Sequence, residues 1–296
     1  MKELILGIDF NNMIFAGSFG EELINSHGVN VNCVKSFFFK LKKIREFLNP
    51  NYIVIATDLG RTKTFRRKLY SEYKATRTET AINIREQMDI ALQLLAQLGY
   101  PIINNVEYEA DDMLGAISRL GMDHQMDTTL CTSDRDYYQL INDQVTVFST
   151  RKNEIIDKDW IQQEYQVTPE QLIDVKALAG DKGDNIPGAR GIGEITALQL
   201  IREYGSLDGV YNNLYYIKPR VRDTLIVCKK QVELSKVLGT IIIDYNQLGL
   251  TLDSIQFKPP FYDDVMRTLY HHGLPSLTNA FQYSLFPDNF IHETAV

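Results

Sequence analysis

Along this chain, short unbroken apolar runs alternate with longer stretches in which apolar residues return every three to four positions. Leu4–Ile8, Tyr52–Ala56 and Thr128–Thr132 lean apolar without alternating, as strands covered on both faces do. Between them, Ile84, Met88, Ala91, Leu95 and Leu98 fall on one side of a helix, and Met113 to Ile117 opens another. Strand, helix, strand in this rhythm predicts an α/β domain over residues 1–165, with a mostly parallel central sheet and helices on both faces. From about Asp159 the pattern turns helical, and Gly and turn residues crowd between Gly180 and Gly193. Residues 166–296 are therefore expected to form a helical region, and the stretch after about residue 205 carries no clear assignment.

Composition adds limits. With 44% apolar and 23% charged residues, the chain is expected to fold around a sizeable core. No apolar run approaches the ~20 residues of a membrane span, and the first one meets Asp9 at once, unlike a signal peptide. Cys33, Cys131 and Cys228 are far apart and in no ligand spacing, which predicts reduced thiols and a cytoplasmic setting, the host's if the protein is a phage's. The net charge of −7 argues against a nucleic-acid partner. Its distribution argues the other way. Residues 61–77 hold seven basic residues and one acid, with Phe65, Tyr70 and Tyr73 interleaved. This predicts a mobile basic arch at about 61–80 that orders on a partner, with Arg61, Lys63, Arg66, Arg67, Lys68 and Tyr73 as nucleic-acid contacts. Lys74 and Arg77, three apart, share a helical face and suit the stabilisation of a phosphate in its transition state.

The acids are placed more tellingly than they are counted. Asp9 ends the first predicted strand, Asp58 follows the second, and Asp134 and Asp136 follow Thr128–Thr132. Parallel strands bring their C-terminal ends to one rim, where ligands bind. Glu109, Asp111 and Asp112 precede a helix, where carboxylates are tolerated best, and Asp181 and Asp184 lie in the Gly-rich stretch. Nine acids around one crevice would repel each other unless cations sat between them. Mg²⁺ or Mn²⁺ answers this, and so many oxygen donors suggest two ions ~4 Å apart, able to clamp the attacking and leaving oxygens of a phosphate. Capping or turn formation would explain any one of these acids but not their joint placement. Gly188, Gly191 and Gly193 then run into the helical pattern from Ala197 to Tyr204. Such a turn presents bare N–H groups to an anion, and a helix-hairpin-helix grip by Gly191, Ile192 and Gly193 on a duplex phosphate fits better than a dinucleotide site.

Together these residues resemble the 5′ nuclease family: phage 5′-exonucleases, flap endonucleases, phage RNase H of the same fold and the nuclease domain of bacterial DNA polymerase I. The likeness is carried by Ile8-Asp9, Thr57-Asp58, Phe65-Arg66, Tyr73-Lys74, Glu109-Ala-Asp-Asp112, Ser133-Asp-Arg-Asp136, Gly180 to Asn185 and Gly191-Ile-Gly193. The resemblance implies a structure-specific 5′ nuclease acting by two metals on flap, nicked or RNA-primed DNA in replication, free-standing because no polymerase follows. A catalytically inactive DNA-junction binder is the alternative. By matching position, the nine acids would form the metal cluster or its surroundings, Lys74 and Arg77 the basic gateway, and the Gly191–Gly193 turn a K⁺ site. Arg135 departs from the pattern, which commonly has Gly there. A phosphatase of the haloacid-dehalogenase type fails at Asn11, where it needs Asp, and a topoisomerase–primase domain fails at Asp9, where it needs Glu. Finally, Gln282-Tyr-Ser-Leu285-Phe286 looks like a sliding-clamp docking peptide, although core residues of a last helix are the favoured reading of the same positions.

Overall fold

A computed structural model describes residues 2–60 and 63–278. The three apolar runs form the middle of a six-stranded sheet. Strand β1 (Leu4–Asp9) is followed by helices α1 (Phe10–Phe15) and α2 (Asn32–Leu48), β2 (Tyr52–Ala56), α3 (Phe65–Leu69) and α4 (Ile82–Gln97). Then come β3 (Ile102–Ile103), α5 (Ala110–Asp123), β4 (Asp127–Thr132), β5 (Val145–Ser149) and β6 (Glu154–Ile156). The order across the sheet is β3-β2-β1-β4-β5-β6, with all neighbours parallel except the β5–β6 hairpin. The pattern did not announce β3, β5 or β6: the first and last are two and three residues long, and β5 mixes Thr and Ser with its apolar positions.

Both faces of the sheet are covered, which is why its central strands lack polar alternation. Leu6, Ile8 and Ile55 pack with Phe37, Phe38, Leu41, Leu94 and Leu95 of α2 and α4. On the other face Ile5, Val54 and Leu130 pack with Met113, Leu114 and Ile117 of α5. The chain steps from β1 to β2 to β3, then returns to the far side of β1 with β4. The strand order thus reverses between β1 and β4, and the crevice at their C-terminal ends is where such sheets bind ligands.

Helices α6 (Lys158–Tyr165), α7 (Leu172–Ala179), α8 (Glu194–Tyr204), α9 (Leu207–Asn212) and α10 (Pro219–Gly239) follow. From Val167 onward, α7 to α10 build a separate core that includes Leu178, Ala197, Ile201, Val210, Leu225 and Val232. The unassigned tail then returns to the first half. Ile241, Leu248, Leu250 and Ile255 join the α5 side, and α11 (Tyr262–His271) brings Val265 and Leu269 to the α2–α4 side. Among the described residues, no helix is long and apolar enough to cross a membrane.

Candidate metal centre and nucleic-acid cleft

Five acids line one cleft of about 670 Å³ at the reversal point: Asp9, Asp58, Glu109, Asp111 and Asp134. Each is held by a local device. Asp9 caps α1 by accepting the Asn12 N–H (3.0 Å), and its second oxygen accepts the Thr132 hydroxyl (2.9 Å) across the β1–β4 boundary. Asp58 accepts the Ala110 N–H (2.8 Å), which ties the end of β2 to the start of α5. Asp111, in the first turn of α5, accepts the hydroxyl of the buried Tyr137 (2.8 Å). Asp134 turns the chain after β4 by accepting the Asp136 N–H (3.0 Å). Asn12 locks the rim, its side-chain oxygen accepting both the Ser133 N–H (2.9 Å) and hydroxyl (2.8 Å).

This convergence is electrostatically costly. Burial, with help from Asp134 and Asp58, pushes Asp9 up to about 7. Burial also lifts Asp111 well above the usual carboxylate range, with Asp134, Asp9 and Glu109 adding to it. Glu109 goes the other way: burial works to raise it, but the Lys74 ammonium and Arg66 guanidinium together hold it below its ordinary value. The donor set is all oxygen, with Asp9 buried and Asp111 half-buried beside other carboxylates. That fits hard divalent cations.

A second carboxylate group adjoins the first. Asp136, Asp181 and Asp184 bring carboxylate oxygens within 4.8 Å of one another. The Gly-rich stretch makes this possible by folding tightly on itself. Asp181 and Ile186 exchange two backbone hydrogen bonds (2.9 and 2.7 Å), and Gly188 sits so close to residue 180 that a Cβ would lie 2.3 Å from its nitrogen. Lys176, from α7, fills the middle of the group, 2.6 Å from Asp136 and 2.8 Å from Asp181. Burial pushes Asp136 up to about 6 against the pull of Lys176. The sequence reading missed Lys176, and also Asn12, Thr132 and Tyr137. Only Asn12 had a visible signal, following Asp9 so closely at a strand end.

The basic segment is anchored at Thr64, Arg66 and Tyr73, which are buried, and is otherwise mostly exposed over its described part. Arg66 is 2% exposed. Its guanidinium donates to both oxygens of Asp112 (2.6 and 2.7 Å), to Glu109 (3.2 Å) and to the carbonyls of Leu238 and Thr240 (2.8 Å each). Arg66 is therefore not placed to meet nucleic acid. Asp112, fully buried, has both oxygens spent on Arg66 and on the Glu109 and Ile242 N–H groups, and it does not reach the cleft. Tyr73, expected as a base contact, is buried with its hydroxyl on Glu109 (2.9 Å). Lys74 pairs with Glu109 (2.8 Å) and Asp184 (3.8 Å), and Arg77 pairs with Asp184. Both line the cleft. Lys63 is exposed, Lys68 is exposed and pairs with Glu107, and Arg67 donates to the carbonyls of Ser71 (2.6 Å) and Tyr73 (2.7 Å). In the turn before α8, Gly191 and Gly193 are exposed and Ile192 is buried as its anchor. Arg61, Gln282, Leu285 and Phe286 lie outside the described residues.

Two family models meet along the chain: the 5′-3′ exonuclease N-terminal, resolvase-like domain over residues 4–166, and the 5′-3′ exonuclease C-terminal SAM fold over residues 167–263. The chain belongs to the 5′-3′ exonuclease family. A relative named 5′-3′ exonuclease from Bacillus subtilis is 36% identical over 223 residues, which is 74% of this chain and 75% of that protein. DNA polymerase I of Streptococcus pneumoniae is 32% identical over 293 residues, 96% of this chain, and the chain spans about a third (33%) of the polymerase's length. The fold is similar to that of T5 5′-exonuclease with bound divalent metal ions (zinc), with a TM-score of 0.69 at 22% identity, covering 91% of this chain and all (100%) of that one. Within this family member, the acidic cleft falls in the resolvase-like part and the Gly191–Gly193 turn in the SAM fold.

Proposed function

We propose that the protein hydrolyses phosphodiesters near the 5′ end or junction of flap, nicked or RNA-primed DNA, with two divalent cations, Mg²⁺ or Mn²⁺, in the cleft. One observation carries this reading: carboxylates from three strand ends and a helix start converge at the sheet's reversal point, with Lys40, Arg151, Lys74 and Arg77 on the same walls. Asp9, Asp58, Glu109, Asp111 and Asp134 would hold the first ion, and Asp136, Asp181 and Asp184, with Asp134, the second. Bound there, the ions supply Lewis acidity, making water a competent nucleophile at neutral pH and neutralising phosphate charge.

The chain's own residues do the rest. Thr132 and Tyr137 fix the two costliest carboxylates, Asp9 and Asp111, by hydrogen bonds. Lys74 and Arg77 would give up their pairing with Glu109 and Asp184 to meet the scissile phosphate as its negative charge grows. The bare turn at Gly191 and Gly193 would take a duplex phosphate on its N–H groups, with K⁺ beside it, fixing register without reading bases.

The test is cleavage of end-labelled flap, nicked and RNA–DNA substrates. We expect 5′ products with Mg²⁺ and none with EDTA. Binding without cleavage under both conditions would mean that the chain is an inactive junction binder.

A further inference from the structure

A groove lies beside the cleft, along the outer side of α2. Helix α2 is apolar on two sides. Phe37, Phe38, Leu41 and Ile44 face the core, whereas Ser36, Phe39, Lys40, Lys43 and Phe47 recur along the outer side. Phe39 is 42% and Phe47 68% exposed, unusual for rings that the core does not need. They overhang a groove of about 470 Å³ whose far wall is formed by Phe148, a buried residue of β5, and Asn153 in the β5–β6 turn. The Phe47 and Phe148 rings lie 6.0 Å apart.

The groove and the cleft share both walls. Lys40 of α2 lines each of them, and the same β5–β6 hairpin lends Thr150 and Arg151 to the cleft and Phe148, from β5, and Asn153 to the groove. Among the described residues, Lys40, Lys43 and Arg151 make no ion pair. They differ in this from Lys74 and Arg77, which are committed to acids.

We propose that this groove binds single-stranded DNA, the unpaired 5′ strand of the substrate, as it leaves the cleft; the inference rests on the nuclease reading. Cations carry the phosphates, and aromatic rings stack on bases, whose faces are free only in an unpaired strand. From Ser36 to Phe47 the helix spans about 16 Å. A stacked strand advancing ~3.4 Å per nucleotide would cover that with about five. An acidic peptide would satisfy the same lysines, but continuity with the cleft through Lys40 and the turn favours the strand.

The experiment measures affinity in EDTA for a nicked duplex carrying no flap, a five-nucleotide flap or a ten-nucleotide 5′ flap of thymidines. The unmodified chain should bind the five-nucleotide flap at least about tenfold more tightly than the bare nick, with little gain beyond five. In Phe39→Ala/Phe47→Ala that ratio should fall to near one, and Lys43→Gln should lower the salt dependence of the ratio by roughly one phosphate contact. A 5-iodouracil in the flap should crosslink to the peptide containing Phe47. Should the double variant unfold, the single Phe47→Ala variant and the crosslink decide. A ratio of one in the unmodified chain, or an undiminished ratio in the variants, would overturn the groove. So would self-association or acidic-peptide binding that the variants abolish while the flap ratio persists. If the ratio is one yet the bare nick is cleaved in Mg²⁺, only the groove is lost. If the ratio behaves as expected and nothing is cleaved, the groove stands and the nuclease reading falls.

Discussion

The two carboxylate groups of the cleft solve the same problem differently. Around Asp136, Asp181 and Asp184 the protein supplies its own cations: Lys176 sits between the first two, and Lys74 and Arg77 reach the third. Around Asp9, Asp58, Asp111 and Asp134 compensation is thin. Hydrogen bonds from Thr132, Asn12, Ala110 and Tyr137 position the acids, but Asp9 and Asp111 still hold their protons far above the usual range. The first arrangement is largely balanced by the chain's own cations, although burial still pushes Asp136 up to about 6, whereas the second has less of its own to balance it. On the proposed two-cation reading, metal dependence would reside mainly in the acids at the ends of β1, β2 and β4 and in Asp111 at the start of α5.

The largest effect expected is on turnover. Asp134→Asn keeps the side chain's shape and its turn-forming oxygen but removes a charge where the two groups meet, and kcat should fall by about 10³ or more, roughly 4 kcal/mol of barrier. Substrate binding in a gel-shift assay should stay within a few-fold. Near-normal cleavage would erase the distinction between the groups. Next comes Arg66→Met, which leaves Asp112 buried and unpaired. Urea unfolding should show a loss of about 3–5 kcal/mol, and the Arg66→Met/Asp112→Leu double variant should recover most of it.

Metal and pH then separate the groups directly. The folded state keeps protons on Asp9 and Asp111 that the unfolded chain releases above about pH 4, so the metal-free protein should lose stability as pH rises from about 4 to about 7. Melting in EDTA should therefore occur at a lower temperature at pH 7.5 than at pH 5.5. Saturating Mg²⁺, which needs the deprotonated carboxylates, should add about 2–4 kcal/mol at pH 7.5 and much less at pH 5.5. Lys176→Met should lower metal-free stability by about 1–2 kcal/mol and enlarge the gain from Mg²⁺, because the balanced group has been made to resemble the other. The smallest effect belongs to Arg135→Gly. Its bridge to Glu194 is 3.4 Å long and exposed at both ends, so stability should change by less than about 1 kcal/mol.

How much of this was legible in the sequence depended on distance along the chain. The three unbroken apolar runs marked the middle of the sheet, and acids just past their ends marked the rim, because strand direction alone decides which edge they share. Direction within a helix turn is finer. Glu109, Asp111 and Asp112 stand almost side by side in sequence, yet α5 turns the last away from the cleft to close a capping box with Glu109. Pairings across 46 residues, such as Arg66 with Asp112, leave no periodic trace, so a buried structural cation looked like part of a basic surface. Lys176 was hidden in the same way within a mostly apolar helix. The tail from Ile241 to Leu277 read as unassigned because its short apolar pieces answer to cores built hundreds of positions earlier.

One feature, the Arg66 guanidinium, also has a mechanical side. It grips α5 at Asp112, the carbonyls at the end of α10, and Glu109 beside the cleft. Helix α10, 21 residues long, is a rod of about 31 Å. A pull exerted on its distant end is shared here between Arg66 and Gln139, which donates to the Gly239 carbonyl (3.0 Å), and through Arg66 part of that leverage reaches a carboxylate of the acidic rim.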